Sequence, residues 1–174
     1  MAQINTASDL LPHDARIYQY AMVDTPGVVA ANNFFSWFNP ANSGKVVQPL
    51  GLVVQCYSPS NSVSSNSLVL YRTSSESGGS LVAASNITKY NPNDATNPVA
   101  TIRTSNPTVV TSGIALVGIA PVQSTGGGTV VPVVLAPFGF PPTIPMGTGL
   151  VFGTAGGSTS QLWNIQLTWW EFTP

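Results

Sequence analysis

The stretch FFSWFNPANSGKVVQPL, residues 34–50, holds an aromatic run, an abrupt stop at Asn39-Pro40, a small polar tip and a second apolar run. Phe35 and Trp37 share one phase of a strand and Phe34 and Phe38 the other, so the segment before the stop is apolar on both sides. After the stop, Val46, Leu50 and Leu52 share a phase that reads as core. Proline presets φ and glycine tolerates positive φ. The break is therefore expected to be a compact corner between two strands, with Asn39 and Asn42 satisfying the local backbone and Gly44 permitting the return.

The same grammar runs through the chain. Apolar residues do not recur at helical spacing, whereas short Val, Ile, Thr and aromatic runs alternate with Gly, Pro, Asn and Ser clusters. Candidate strands fall near 16–24, 28–38, 45–58, 67–74, 80–90, 98–104, 108–121, 128–136, 148–154 and 161–172, about eight to ten strands in one domain. The separating clusters, TPGV, NPANSG, SESGGS, NPNDATNP, STGGG and FPPTIP, carry turn chemistry. SESGGS is expected to close a hairpin between LVLYRTS and LVAASNITKY. Prolines inside VVPVVLAPFGF point to an edge strand or an extended wrapping segment. Strands this short and numerous predict an all-β fold: a two-sheet antiparallel β-sandwich over residues 16–174, jelly-roll-like. Residues 1–15, polar and without periodicity, predict an extended N-terminal arm.

Charge is scarce. Five basic and six acidic residues in 174 make up 6% of the chain, against roughly 25% in an average soluble domain. Either Ser, Thr, Asn and Gln cover the surface, or much of it lies against other chains. Several strands are apolar on both phases: in RIYQYAMV, Ile17, Ala21 and Val23 oppose Tyr18, Tyr20 and Met22. A second apolar face calls for a second covering surface, and subunit contact supplies one. At the C-terminus Trp169 and Trp170 must point to opposite faces, one into the core and the other toward an interface or a partly exposed patch. Phe35, Trp37, Tyr18, Tyr20, Trp169 and Trp170, with His13 and Asp14 of the arm, are the candidate subunit or capsid contacts.

The ingredients of catalysis are few. The chain has one histidine, His13, in the arm, and one cysteine, Cys56, on the apolar phase of a strand-like run, so neither a Ser-His-Asp group nor an activated thiol is expected. Asp24 and Glu76 read as turn residues and Asp94 as a loop-capping Asx, so no carboxylate pair is expected to act on a glycoside. A calcium site at Asn91, Asn93 and Asp94 would rest on one carboxylate, a weak set. No metal, cofactor or enzymatic activity is expected. The five cations are scattered, which argues against a nucleic-acid partner. The longest apolar runs are short and interrupted by Pro and Gly, which argues against a membrane span. No secretory signal is expected either, so synthesis is read as cytoplasmic.

The order FFSWFNPANSGKVVQPLGLVV, LVLYRTSSESGGSLVAA, NPNDATNPVATIRTSNPTV, PMGTGLVFGT and NIQLTWWEF resembles a group of small tailed-bacteriophage virion proteins. An aromatic strand runs into an NPxxSG turn, an SGG turn follows, Pro-Thr succeeds an Arg-bearing strand, and a Gly-rich turn precedes a Trp-Glu ending. The resemblance implies a capsid decoration or cement protein, or a head fibre, often trimeric and without catalysis. Its partners would be its own copies and the major capsid protein, its place the capsid surface of the virion, and its site of synthesis the host cytoplasm. The alternative is a carbohydrate- or receptor-binding sandwich of a phage tail or fibre, with a glycan stacked on Trp37, Tyr90, Trp163 or Trp169.

Overall fold

The computed structural model describes residues 16–26, 33–57, 68–119, 133–135, 143–154 and 162–174. Among them are nine strands: β1 (Arg16–Pro26), β2 (Asn33–Asn39), β3 (Val46–Tyr57), β4 (Leu68–Leu81), β5 (Thr88–Lys89), β6 (Thr101–Ile119), β7 (Val133–Leu135), β8 (Thr148–Thr154) and β9 (Leu162–Phe172). The one helical element among the described residues is a single 3-10 turn at Ala84–Asn86. The expected arm at residues 1–15, with His13 and Asp14, and the STGGG turn lie outside the described residues.

β1 pairs with β9, β2 with β8, β3 with β7 and β4 with β6, every pair antiparallel. That nesting of first with last, the two-residue β5 aside, is one long hairpin rolled into two sheets, the jelly roll. The first sheet runs β5-β1-β9-β3-β7, and β2, β6, β4 and β8 form a second that closes on itself. The two sheets pack face to face. β7, Val133–Leu135, stands at the edge of the first sheet; the prolines on either side of it lie outside the described residues.

The corner at Asn39-Pro40 carries the chain from the second sheet into the first. The Asn39 amide donates to the carbonyls of Lys45 and Ile144 at 2.9 and 3.0 Å, and Gly44 takes φ +66°. Ser43, rather than Asn42, completes the turn: its N–H donates to the Pro40 carbonyl and its hydroxyl to that of Lys45.

The expected strand 80–90 is not one: β4 ends at Leu81, and the 3-10 turn and the two-residue β5 follow. Two other boundaries differ for one reason. SESGGS closes no hairpin; it is the second half of β4, and residues 73–78 pair with 107–111 of β6. Likewise 98–104 and 108–121 are not two strands but the single β6. Both long strands bend together where Gly78 and Gly79 face Ser105, Asn106 and Pro107, the first four at φ of 57 to 62°. Gly, Ser and Pro thus mark a fold in a paired ribbon rather than its end.

The bend carries the start of β6 back to β2, where Thr101, Ile102, Arg103 and Thr104 pair with Phe38, Trp37, Ser36 and Phe35. β2 is consequently buried along both phases. Its second apolar face is covered by the same chain rather than left for a neighbouring subunit, the covering surface expected from sequence.

The core between the sheets is aromatic. Trp37 meets Trp169 edge-on at 5.3 Å, Phe35 stacks on Phe152 at 4.8 Å, and Phe34 lies 6.5 Å from Trp163. Leu52, Val54, Leu70, Ile102, Leu150, Ile165 and Leu167 fill in around them.

Candidate functional site

Four of the proposed contact residues are not available to a partner. Phe35, Trp37, Tyr18 and Trp169 are each 1% exposed or less, inside the chain's own core. Their period-2 phase is that of the inner faces, so the aromatic wealth of these strands builds the sandwich. Tyr20 and Trp170 are half-buried. Tyr20 lines a 420 Å³ cavity with Met22 and Phe34. Trp170 stands on the outer face of β9 with its ring edge-on to Phe172. Of the four expected stacking platforms, Trp37, Trp163 and Trp169 are core, and Tyr90 is 69% exposed.

One end of the sandwich is closed by residues 90–100, held down by groups that the sequence scatters widely. Arg16 Nε lies 2.6 Å from Asp94 Oδ2. The Tyr18 hydroxyl donates to the Thr96 carbonyl, and Lys89 Nζ to that of Asp94. Glu171, buried at the end of β9, accepts from the N–H groups of Val99 and Ala100 and from Trp169 Nε1 at 2.8 to 3.0 Å. The loop's Asx character is as expected: Asn91 Oδ1 accepts from Asn93 N, and Asp94 Oδ1 from Thr96 N. The Thr96 N–H, helped by its hydroxyl and by Arg16, holds the Asp94 carboxyl below its usual range. Burial, with repulsion from Glu171 and Asp94, pushes Tyr18 up to about 12.

A second buried polar group escapes sequence reasoning. Glu76, expected in a turn, sits in β4 where the closed sheet folds over β2. Its carboxylate accepts from Ser36 Oγ at 2.5 Å and Thr101 Oγ1 at 2.7 Å and lies 3.3 Å from Arg103 Nε. Ser36 is fully buried. The only signal available was Ser36 itself, a lone polar residue within an aromatic run. The carboxylate is enclosed by its partners, and among the described residues no group of three His, Cys, Asp or Glu side chains could hold a metal ion.

These contacts give each cation a partner, and two of them, Arg16 and Arg103, are offset by a carboxylate. Arg16, Lys45, Arg72, Lys89 and Arg103 each have a partner within the chain: Asp94, the Thr173 hydroxyl, the Thr143 carbonyl, the Asp94 carbonyl and Glu76. Glu76 and Glu171 are buried. What remains is clearest on the outer face of the first sheet. Cross-strand rows there read Ile17–Trp170–Gln48, Gln19–Thr168–Gly51 and Ala21–Gln166–Val53, with Val23, Asn164 and Gln55 beyond. No member of those rows is charged. Branched, small and amide side chains alternate around Trp170, whose Nε1 has no acceptor among the described residues. Sequence could have found this face as the phase opposite Trp169 on three adjacent strands, once their pairing was known.

Among the described residues no helix is long and apolar enough to cross a membrane. Comparison with protein-family models, with curated proteins and with solved structures finds no match.

Proposed function

We propose that this chain is a structural virion protein: a decoration or cement protein on the outer surface of a bacteriophage head, assembled as a homotrimer and without catalytic activity. The observation that carries the reading is the uncharged outer face of β1, β9 and β3. A face of amides, small residues and half-buried apolar groups can be desolvated against a neighbour without stripping water from ions, a penalty of several kcal/mol per charge. Its amides donate and accept alike, so they can match the polar groups of a different surface on the next copy, the heterologous contact that closes a trimer. The jelly roll and the order of turn motifs support the virion assignment. The major capsid protein is the second partner, reached through the N-terminal arm, and several weak contacts per trimer give avidity on a repeating lattice.

Light scattering coupled to size exclusion, with co-sedimentation on purified phage heads that lack the protein, tests the reading. A trimer that pellets with heads is expected. A monomer that stays in the supernatant overturns it. The second reading, a carbohydrate- or receptor-binding module, keeps Tyr90 alone of its four aromatic platforms.

A further inference from the structure

We infer that Tyr90 and the pocket beside it form a binding site for one pyranose ring of a neutral saccharide. The pocket has a volume of 260 Å³ and is lined by Arg16, Ile17, Tyr18, Lys89, Tyr90, Asn91 and Asp94. That lies just below the range of about 300 Å³ and upward typical of drug-sized ligands, which suits a single sugar ring.

The site is built rather than incidental. Tyr90 N–H donates to the Ile17 carbonyl at 3.0 Å, which fixes the tyrosine's backbone against β1. The ring is left open: Tyr90 is among the most exposed large apolar side chains described, although Tyr18, Tyr20 and Tyr71 are all buried or half-buried. Next to it the 91–94 turn is closed by the Asp94 N–H to Asn91 carbonyl bond and by the Asn91 and Asp94 side chains. Arg16 and Lys89 are both anchored to Asp94. Cationic donors, a carboxylate acceptor and an amide that does both are therefore held around one aromatic face.

That combination matches a pyranose, whose C–H face covers a tyrosine ring while its equatorial hydroxyls reach donors and acceptors at the rim. It fits other ligands less well. Asp94 supplies the only carboxylate lining the pocket and its charge is offset by Arg16, so a cation finds one weak ligand, whereas the lone pairs left beyond its bonds to Arg16 and Thr96 N–H can accept a hydroxyl. The positive charges of Arg16 and Lys89 are offset by Asp94 and by Glu171 beneath Tyr18, so a free anion meets no net field. The inference does not rest on the virion reading, since sugar binding and head binding are measured separately.

The test is a heteronuclear NMR titration of the full chain with methyl glucoside, methyl galactoside and methyl mannoside, with methyl glucuronide and inorganic phosphate as comparison arms. Saturable shifts at the amides of residues 89–94 are expected with at least one neutral hexoside. Tyr90→Ala should weaken that binding about tenfold, the loss of one aromatic contact surface, without altering the melting temperature. Tyr90→Phe, which keeps the ring, should retain it. Absence of shifts with all three neutral hexosides overturns the proposal, as do shifts that persist in Tyr90→Ala or that arise only with glucuronide or phosphate.

Discussion

Glu171 shows how a residue that sequence reading passes over can hold an element in place. Its two carboxylate oxygens take three N–H donors, two from the backbone of residues 99 and 100 and one from Trp169. An amide offers one acceptor oxygen and turns an NH2 toward a donor. Glu171→Gln should therefore destabilise the fold by about 2–4 kcal/mol, the range for lost charge-assisted bonds and a buried unmatched donor, read from urea unfolding with m unchanged. Tyr18 gives a second prediction at this scale. Its folded pKa, about 12, lies above the unfolded value of 10.0. The neutral phenol's contribution is thus fully present below pH 10 and is lost as pH rises through 12. Alkaline unfolding in that window should be blunted in Tyr18→Phe, and an unchanged profile would assign the effect elsewhere. Asp94 works at the opposite end: its depressed pKa makes the tie to Arg16 and Thr96 persist below the ordinary carboxylate range. The Asp94 carboxyl should accordingly titrate by NMR only at a pH lower than that of a free aspartate.

The β4–β6 ribbon is the element on which the second sheet turns, and its bend depends on one glycine more than on the others. At Gly79 φ is +57° and an added Cβ would sit 2.4 Å from the Thr104 carbonyl oxygen, whereas at Gly44 φ is +66° with nothing within 4 Å. Gly44→Ala should cost only the backbone strain, about 1–2 kcal/mol. Gly79→Ala must add displacement of a paired strand, and should lower the melting temperature by clearly more; equal losses would show that the bend yields. The same ribbon marks where sequence stops being legible. Most strands and the placement of Trp169 and Trp170 on opposite faces follow from period-2 alternation, which is local; in β3 the register shift between Pro49 and Gly51 breaks that phase, so Val47 rather than Val46 is core and Leu50 is half-buried beside the buried Leu52. Whether SESGGS reverses the chain or bends a continuing pair depends on what lies opposite it, and Ser105, Asn106 and Pro107 are far away in sequence. Two consecutive non-glycine residues at positive φ are stabilised by that partner and by Asn33, whose N–H donates to Asn106 Oδ1 and whose amide donates to the Pro107 carbonyl. The buried Glu76 was hidden by the same ambiguity, because a glutamate beside two glycines reads as solvent-facing turn until the fold-over encloses it.

At the scale of the molecule the low charge count becomes a distribution. Few ions are present, and Arg16, Lys89, Asp94, Glu171, Glu76 and Arg103 serve the sandwich end and the rolled sheet, while the cross-strand rows on the outer face of β1, β9 and β3 hold no charged residue. Composition alone allows two readings, a polar uncharged surface or a buried one, and the apolar character of both phases of β2 favours the second. The closed sheet removes β2 from that argument and transfers the weight to Ile17, Ala21, Val23 and Trp170. If this face joins copies, a charge placed on it must be desolvated in every copy of the assembly. Val23 and Gln166 are both exposed, so lysines there leave the isolated fold within about 0.5 kcal/mol of its starting stability, as surface substitutions usually do. Val23→Lys with Gln166→Lys should therefore convert the trimer to monomer by light scattering and abolish co-sedimentation with heads, at an unchanged melting temperature of the monomer. Removing residues 1–15 should act differently, weakening attachment to heads while the trimer persists. A lysine variant that remains trimeric would move the subunit contact to another surface and leave this face for the capsid; one that remains trimeric and still binds heads would show that the face serves neither.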